Sequence, residues 1–63
     1  MTELQRMYNE MLGTLERGIN DLEKFEDGNM SAGTRVRKTM QTVKELAQKT
    51  RVAVQEQKNA VVA

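Results

Sequence analysis

The chain has 63 residues and contains no cysteine, histidine, proline or tryptophan, and its formal net charge at pH 7 is +1. A chain of this length forms one domain at most and buries a small fraction of its surface, and neither a disulfide nor a conventional zinc site is available to stabilise it. We therefore expect association with other copies, as a homodimer or a higher oligomer, to supply the missing core.

The sequence has neither a membrane segment nor a catalytic signature. No apolar run approaches the ~20 residues that cross a bilayer, and the N-terminal residues lack the pattern of a signal peptide. The chain has no His or Cys nucleophile or base, no metal-ligand cluster and no glycine loop of the kind that binds phosphate. We expect a cytoplasmic protein that is not an enzyme and has no cofactor, metal or small-molecule substrate.

The small net charge conceals a strong difference between the two halves of the chain. Residues 1–28 hold three basic and seven acidic residues, a net charge of −4, whereas residues 29–63 hold seven basic and two acidic residues, a net charge of +5. The second half is therefore the candidate surface for an anionic partner.

Apolar residues at alternating intervals of four and three predict a first helix over about residues 2–26, with Thr2 as its N-cap. The seam of this helix consists of Leu4, Tyr8, Met11, Leu15, Leu22 and Phe25, with Gly18 between the last two leucines. Met7, Leu12 and Ile19 widen the seam into a stripe that is broader than one partner helix covers. The pattern favours the face of a helical bundle.

A helix stop and a helix start follow each other at residues 27–30. Gly28 can adopt the positive φ that ends a helix, and Asn29 or Ser31 can cap the next helix. The second helix is predicted over about residues 31–59, with a narrower seam of smaller residues: Val36, Met40, Val43, Ala47, Thr50 and Val54. Because this helix is longer than the first, we expect its last turns to project, fray or pack on another protomer.

Two long helices joined by a tight turn predict an all-α fold, an antiparallel two-helix hairpin that forms a single domain over residues 1–63. Two such hairpins packed back to back would form a four-helix bundle or a related coiled-coil assembly and would bury the broad stripe of the first helix.

Seven cations of the second helix are the candidate binding residues. Arg35, Arg37 and Lys38 lie in its first two turns, where free backbone amides and the helix dipole already favour an anion. Four cations recur at intervals of seven and form a basic stripe along the helix: Arg37, Lys44, Arg51 and Lys58. Lys49 broadens this stripe. Such a surface can follow a nucleic-acid backbone without reading its sequence.

A second interpretation of the same charges stays open. Charged residues beside a coiled-coil seam commonly pair with a neighbouring helix, and the acidic first helix offers Glu16, Glu23, Glu26 and Asp27 as partners. In that case the chain is a helical oligomerisation or protein-interaction module that binds no DNA.

The turn and the start of the second helix resemble a known family. The resemblance is densest at Gly28, Asn29, Ala32, Gly33, Thr34, Arg35, Arg37 and Lys38, and it continues through Leu46, Arg51 and Lys58. Over about residues 21–59 the chain is similar to the small bacterial proteins named for eukaryotic linker histone, of which the chlamydial histone-like nucleoid protein is the best-known member.

The resemblance implies a nucleoid protein that binds double-stranded DNA non-specifically, with the seven cations as DNA contacts and a role in DNA compaction. The chlamydial relatives continue into a lysine- and alanine-rich tail, whereas Lys58 is followed here by Asn, Ala and Val only. We therefore expect weak binding per protomer, so that useful affinity requires an oligomer that presents several basic faces together.

Overall fold

The structure, a computed structural model, describes residues 1–62, with side chains as far as Ala60. Two helices, α1 (Glu3–Glu26) and α2 (Met30–Val62), run antiparallel and form a hairpin about 53 Å long. The predicted all-α hairpin is confirmed. At its C-terminal end α2 continues to Val62, beyond the position near residue 59 that the sequence suggests.

Thr2 is the N-cap of α1, as the sequence predicts. Its Oγ1 accepts a hydrogen bond from the backbone N–H of Gln5 at 3.1 Å, and the Gln5 side-chain Oε1 accepts one from the backbone N–H of Thr2 at 3.0 Å. This reciprocal arrangement is a capping box, which satisfies two backbone donors that a helix start leaves free. The first turn of α1 is therefore fixed by local sequence alone.

The turn between the helices is a Schellman motif centred on Gly28. Its φ of 104° is a conformation that residues other than glycine rarely adopt. The Gly28 N–H donates to the Phe25 carbonyl and the Asn29 N–H donates to the Lys24 carbonyl, both at 2.9 Å. Asn29 then caps α2, because its Oδ1 accepts a hydrogen bond from the Ala32 N–H at 3.2 Å. Of the two capping residues that the sequence offers, Asn29 therefore fills the role.

The two helices contact each other along a line of mostly small residues. Three contacts set the antiparallel register: Met7 with Thr50, Gly18 with Thr39, and Phe25 with Gly33. A Cβ placed on Gly33 would lie 2.7 Å from Phe25 Cδ1, so the Phe25 ring rests directly on the backbone of α2. Small residues at these points allow the helices to approach closely.

This line coincides only in part with the seams that the sequence predicts. In α1 the half-buried positions include Met7, Thr14 and Asp21, whereas Tyr8 and Leu22 of the predicted seam are exposed. In α2 the line runs through Ala32, Val36, Thr39, Val43, Leu46, Thr50 and Ala53, and both Met40 and Val54 of the predicted seam are exposed. The helices meet where their residues are small, which leaves the large apolar residues on one side of the hairpin.

The hairpin has very little core of its own. Within the described part of the chain only Ala32 and Leu46 are buried, and none of the large apolar residues of α1 is. Because Met7 faces Thr50, the turns of α2 after about Val54 extend past the start of α1. The sequence also suggests a contact for Val61 and Val62 in these last turns, and their side chains lie outside the described ones. Over the described residues, neither helix has the length and apolarity that crossing a bilayer requires.

Candidate nucleic-acid interface

All seven cations that the sequence singles out lie exposed on α2: Arg35, Arg37, Lys38, Lys44, Lys49, Arg51 and Lys58. Exposure leaves each of them able to reach an external anion. The helix periodicity, however, divides them between the two long sides of the hairpin, and the two sides have different surroundings.

Four of these cations follow one edge of an apolar groove. The groove runs between the helices and is lined mainly by Leu12, Leu15, Ile19, Leu22, Val36 and Met40. It continues past Leu22 and Val36 to Arg37, which stands at its α2 edge. Lys44, Arg51 and Lys58 follow Arg37 at intervals of seven and continue the line of that edge along α2, with Lys58 beyond the start of α1.

The apolar groove is open to solvent along its whole length. Tyr8 is 62% exposed, Ile19 is 52% exposed, and the leucines between and after them are exposed to a similar degree. On its α1 edge the lining includes Glu16, and Glu23 lies one heptad further along the same edge. A large continuous apolar surface with an acidic and a basic edge is typical of an interaction site.

Arg35 lies on the other long side and is held by α1. Its Nε donates to Asp21 Oδ1 at 2.8 Å, with the Arg35 side chain 47% and the Asp21 side chain 23% exposed. Among the side chains that the structure describes, this is the one ion pair that joins the two helices. Pairing between the acidic and the basic helix of one chain, the second interpretation of the charges, is thus found at Arg35 and not along the stripe.

The remaining cations of this second side are Lys38 and Lys49. Lys38 lies one turn after Arg35, and Lys49 lies two heptads after Arg35. Neither has a carboxylate oxygen within 4.0 Å among the described side chains. The cluster of Arg35, Arg37 and Lys38 therefore does not form one patch, because Arg37 points to the groove side and the other two point away from it.

Comparison with known proteins gives a single kind of match. A family model described as histone H1-like protein Hc1 matches residues 5–60, which include most of both helices and the turn. Searches of the curated proteins and of the solved structures give no significant match. The resemblance seen at the turn and at the basic start of α2 is confirmed, and the match also extends over most of α1. The chain belongs to the family of histone H1-like protein Hc1.

Proposed function

We propose that this protein binds double-stranded DNA non-specifically through phosphate contacts and helps to organise or compact the bacterial nucleoid in the cytoplasm. The observation that carries the proposal is the match of a histone H1-like family model over residues 5–60. It agrees with the second helix of the chain, which exposes seven cations. Linker-histone-like proteins package DNA, and DNA packaging requires affinity for the phosphate backbone without preference for a base sequence.

The start of α2 supports phosphate binding in particular. Arg35, Arg37 and Lys38 lie near the positive end of the α2 dipole, and arginine offers phosphate a planar pair of donors. Lys44, Lys49, Arg51 and Lys58 extend the positive surface along the helix. Contacts of this kind make affinity fall steeply with salt, by a slope of about 0.9 in log K against log salt for each phosphate neutralised.

The apolar groove supports self-association as part of this function. A second copy rotated about an axis parallel to the helices would place its α2 over α1 of the first copy. The basic edge that begins at Arg37 would then meet the acidic edge formed by Glu16 and Glu23. A perpendicular axis would instead place like charges together. Charge complementarity therefore favours an antiparallel four-helix bundle with both turns at one end.

The test is a fluorescence-anisotropy titration of random-sequence duplex DNA at low and at physiological salt, with the mass of the protein measured by light scattering. We expect salt-sensitive binding by a dimer or a higher even oligomer. The triple variant Arg35→Gln, Arg37→Gln and Lys38→Gln should lose most of this binding and keep its helicity, because glutamine is as good a helix former as arginine or lysine. Unchanged affinity in that variant would remove the start of α2 from the mechanism.

A second candidate function is a helical oligomerisation module that binds no DNA. The observations that favour it are the apolar groove, which suits a protein partner, and the Asp21–Arg35 pair, which already occupies one of the proposed DNA contacts. A stable oligomer that fails to bind duplex DNA even at low salt would make this the better description. Loosening of the oligomer by salt would further support charge pairing between protomers.

A further inference from the structure

The side of the hairpin opposite the apolar groove brings together cations from both helices. Asp21 of α1 binds Arg35 of α2 on this side. The pair therefore shows which residues of each helix lie on this side of the hairpin. In α1, Arg17 lies one turn before Asp21 and Lys24 lies one turn after it, so all three share one line of the helix. Arg17 and Lys24 belong to the acidic half of the sequence, where a count of charges gives no reason to expect a basic surface.

The register of the hairpin extends this grouping across the two helices. Because the helices are antiparallel and Asp21 faces Arg35, the turn before Asp21 faces the turn after Arg35. Arg17 therefore lies opposite Lys38. By the same register, the turn after Asp21 faces the turn before Arg35, so Lys24 lies opposite the first turn of α2. We call the group of Arg17, Asp21, Lys24, Arg35 and Lys38 the cross-helix patch.

The cross-helix patch carries four positive charges around one carboxylate, a formal charge of +3. Arg17 is not neutralised by that carboxylate, since its Nη2 donates to Thr14 Oγ1 at 3.3 Å and its Nη1 lies 3.2 Å from the position that a Cβ on Gly13 would occupy. Among the described side chains, neither Arg17 nor Lys24 has a carboxylate oxygen within 4.0 Å.

Acidic residues border the patch and limit its length. Glu10 lies one heptad before Arg17 in α1, Asp27 follows Lys24 at the end of α1, and Glu45 lies one heptad after Lys38 in α2. The excess of positive charge is therefore local, centred on the Asp21–Arg35 contact. The four cations of the cross-helix patch lie on both helices, so a duplex lying across the hairpin can contact α1 and α2 together.

We propose that the cross-helix patch is the principal DNA-binding surface of the protein, with Arg17 and Lys24 of α1 contacting phosphates beside Arg35 and Lys38 of α2. This inference rests on the proposed function and specifies the site that performs it. In the proposed bundle Arg37 at the groove edge faces the acidic edge of a second copy, whereas the cross-helix patch lies on the outer side and stays accessible. Asp21 binds Arg35 in the free protein, so DNA has to compete with this carboxylate for the Arg35 guanidinium.

The test compares two double variants that each remove one arginine and one lysine. Arg17→Gln with Lys24→Gln alters the cross-helix patch, and Arg51→Gln with Lys58→Gln is the matched control at the groove edge. We expect the patch variant to bind random duplex DNA about tenfold more weakly at low salt, and its salt slope to fall by about 1.8, for two lost phosphate contacts. The control should lose less of the affinity and of the slope, because Arg51 and Lys58 lie on one helix, away from the centre of the patch.

Three further measurements separate a loss of DNA contacts from a loss of folding or assembly. Circular dichroism and light scattering should show unchanged helicity and mass in both variants, and Arg17→Lys with Lys24→Arg should restore binding because it keeps the charges. Equal losses in the two double variants, or a larger loss in the control, would overturn the cross-helix patch while leaving the proposed function in place. Absence of DNA binding by the unaltered protein would overturn the proposed function, and this inference with it.

Discussion

The two long sides of the hairpin are built from the same two helices but differ in chemistry. One side exposes large apolar residues such as Leu15 and Ile19 and has an acidic and a basic edge, whereas the other side exposes cations around the half-buried Asp21. The difference teaches that the charge of each half of the sequence does not describe the surface. The antiparallel register sorts the residues into one side suited to a second copy and one side suited to an anion.

The largest expected effect comes from placing a charge in the apolar groove. Ile19→Glu should abolish the oligomer and lower the thermal stability strongly, because the separate hairpin buries only Ala32 and Leu46 among its described residues. Sedimentation velocity and thermal melts followed by circular dichroism measure the two effects. The matched control is Asn20→Glu, which adds the same charge at the neighbouring position, away from the groove.

The two variants also separate the sides of the hairpin. The control should keep the mass of the unaltered protein, since Asn20 points away from the groove lining. An Ile19→Glu variant that remained fully oligomeric would show that the groove is not the interface. Dissociation of both variants to the same extent would mean that added charge, rather than the position, disrupts the assembly.

A smaller and opposite effect is expected on the other side. Asp21→Asn removes the carboxylate that competes with phosphate for Arg35, so DNA affinity should rise by about two- to threefold at low salt. The loss of a partly exposed ion pair should lower the free energy of unfolding by no more than about 1 kcal/mol. Anisotropy titration and urea unfolding measure these changes.

Glu23→Gln is the control for this variant. Glu23 carries the same charge in the same helix, but it lies two residues after Asp21 and therefore on the groove side. Its neutralisation removes the same charge without freeing Arg35, so DNA affinity should not rise. A decrease in affinity in Asp21→Asn would show that the carboxylate does not compete with DNA for Arg35.

The helices and the turn could be predicted from the sequence because local residues determine them. Gly28 and Asn29 end one helix and cap the next through hydrogen bonds within six residues of chain, and Thr2 caps α1 in the same way. An antiparallel hairpin follows from a turn this short. The family could be recognised for the same reason, since the residues that carry the resemblance cluster at the turn and the start of α2.

The contact line and the site could not be predicted with the same success. The stripe of α1 is so broad that several lines along it could face α2, and the small residues Gly18 and Thr39 decide which line does. The cross-helix patch depends on the register between the helices, which places Arg17 opposite Lys38. The heptad spacing of Arg17 and Lys24 on both sides of Asp21 was the one available sign that the acidic half contributes a basic line.

The most direct test of the central claim, that one side of the hairpin binds a second copy and the other binds DNA, uses the lysines as probes of both sides. Acetylation of exposed lysines, quantified by mass spectrometry with and without random duplex DNA, reports the accessibility of each one. The account predicts that DNA protects Lys24 and Lys38 more strongly than Lys44 and Lys58. Equal or stronger protection of Lys44 and Lys58 would contradict it.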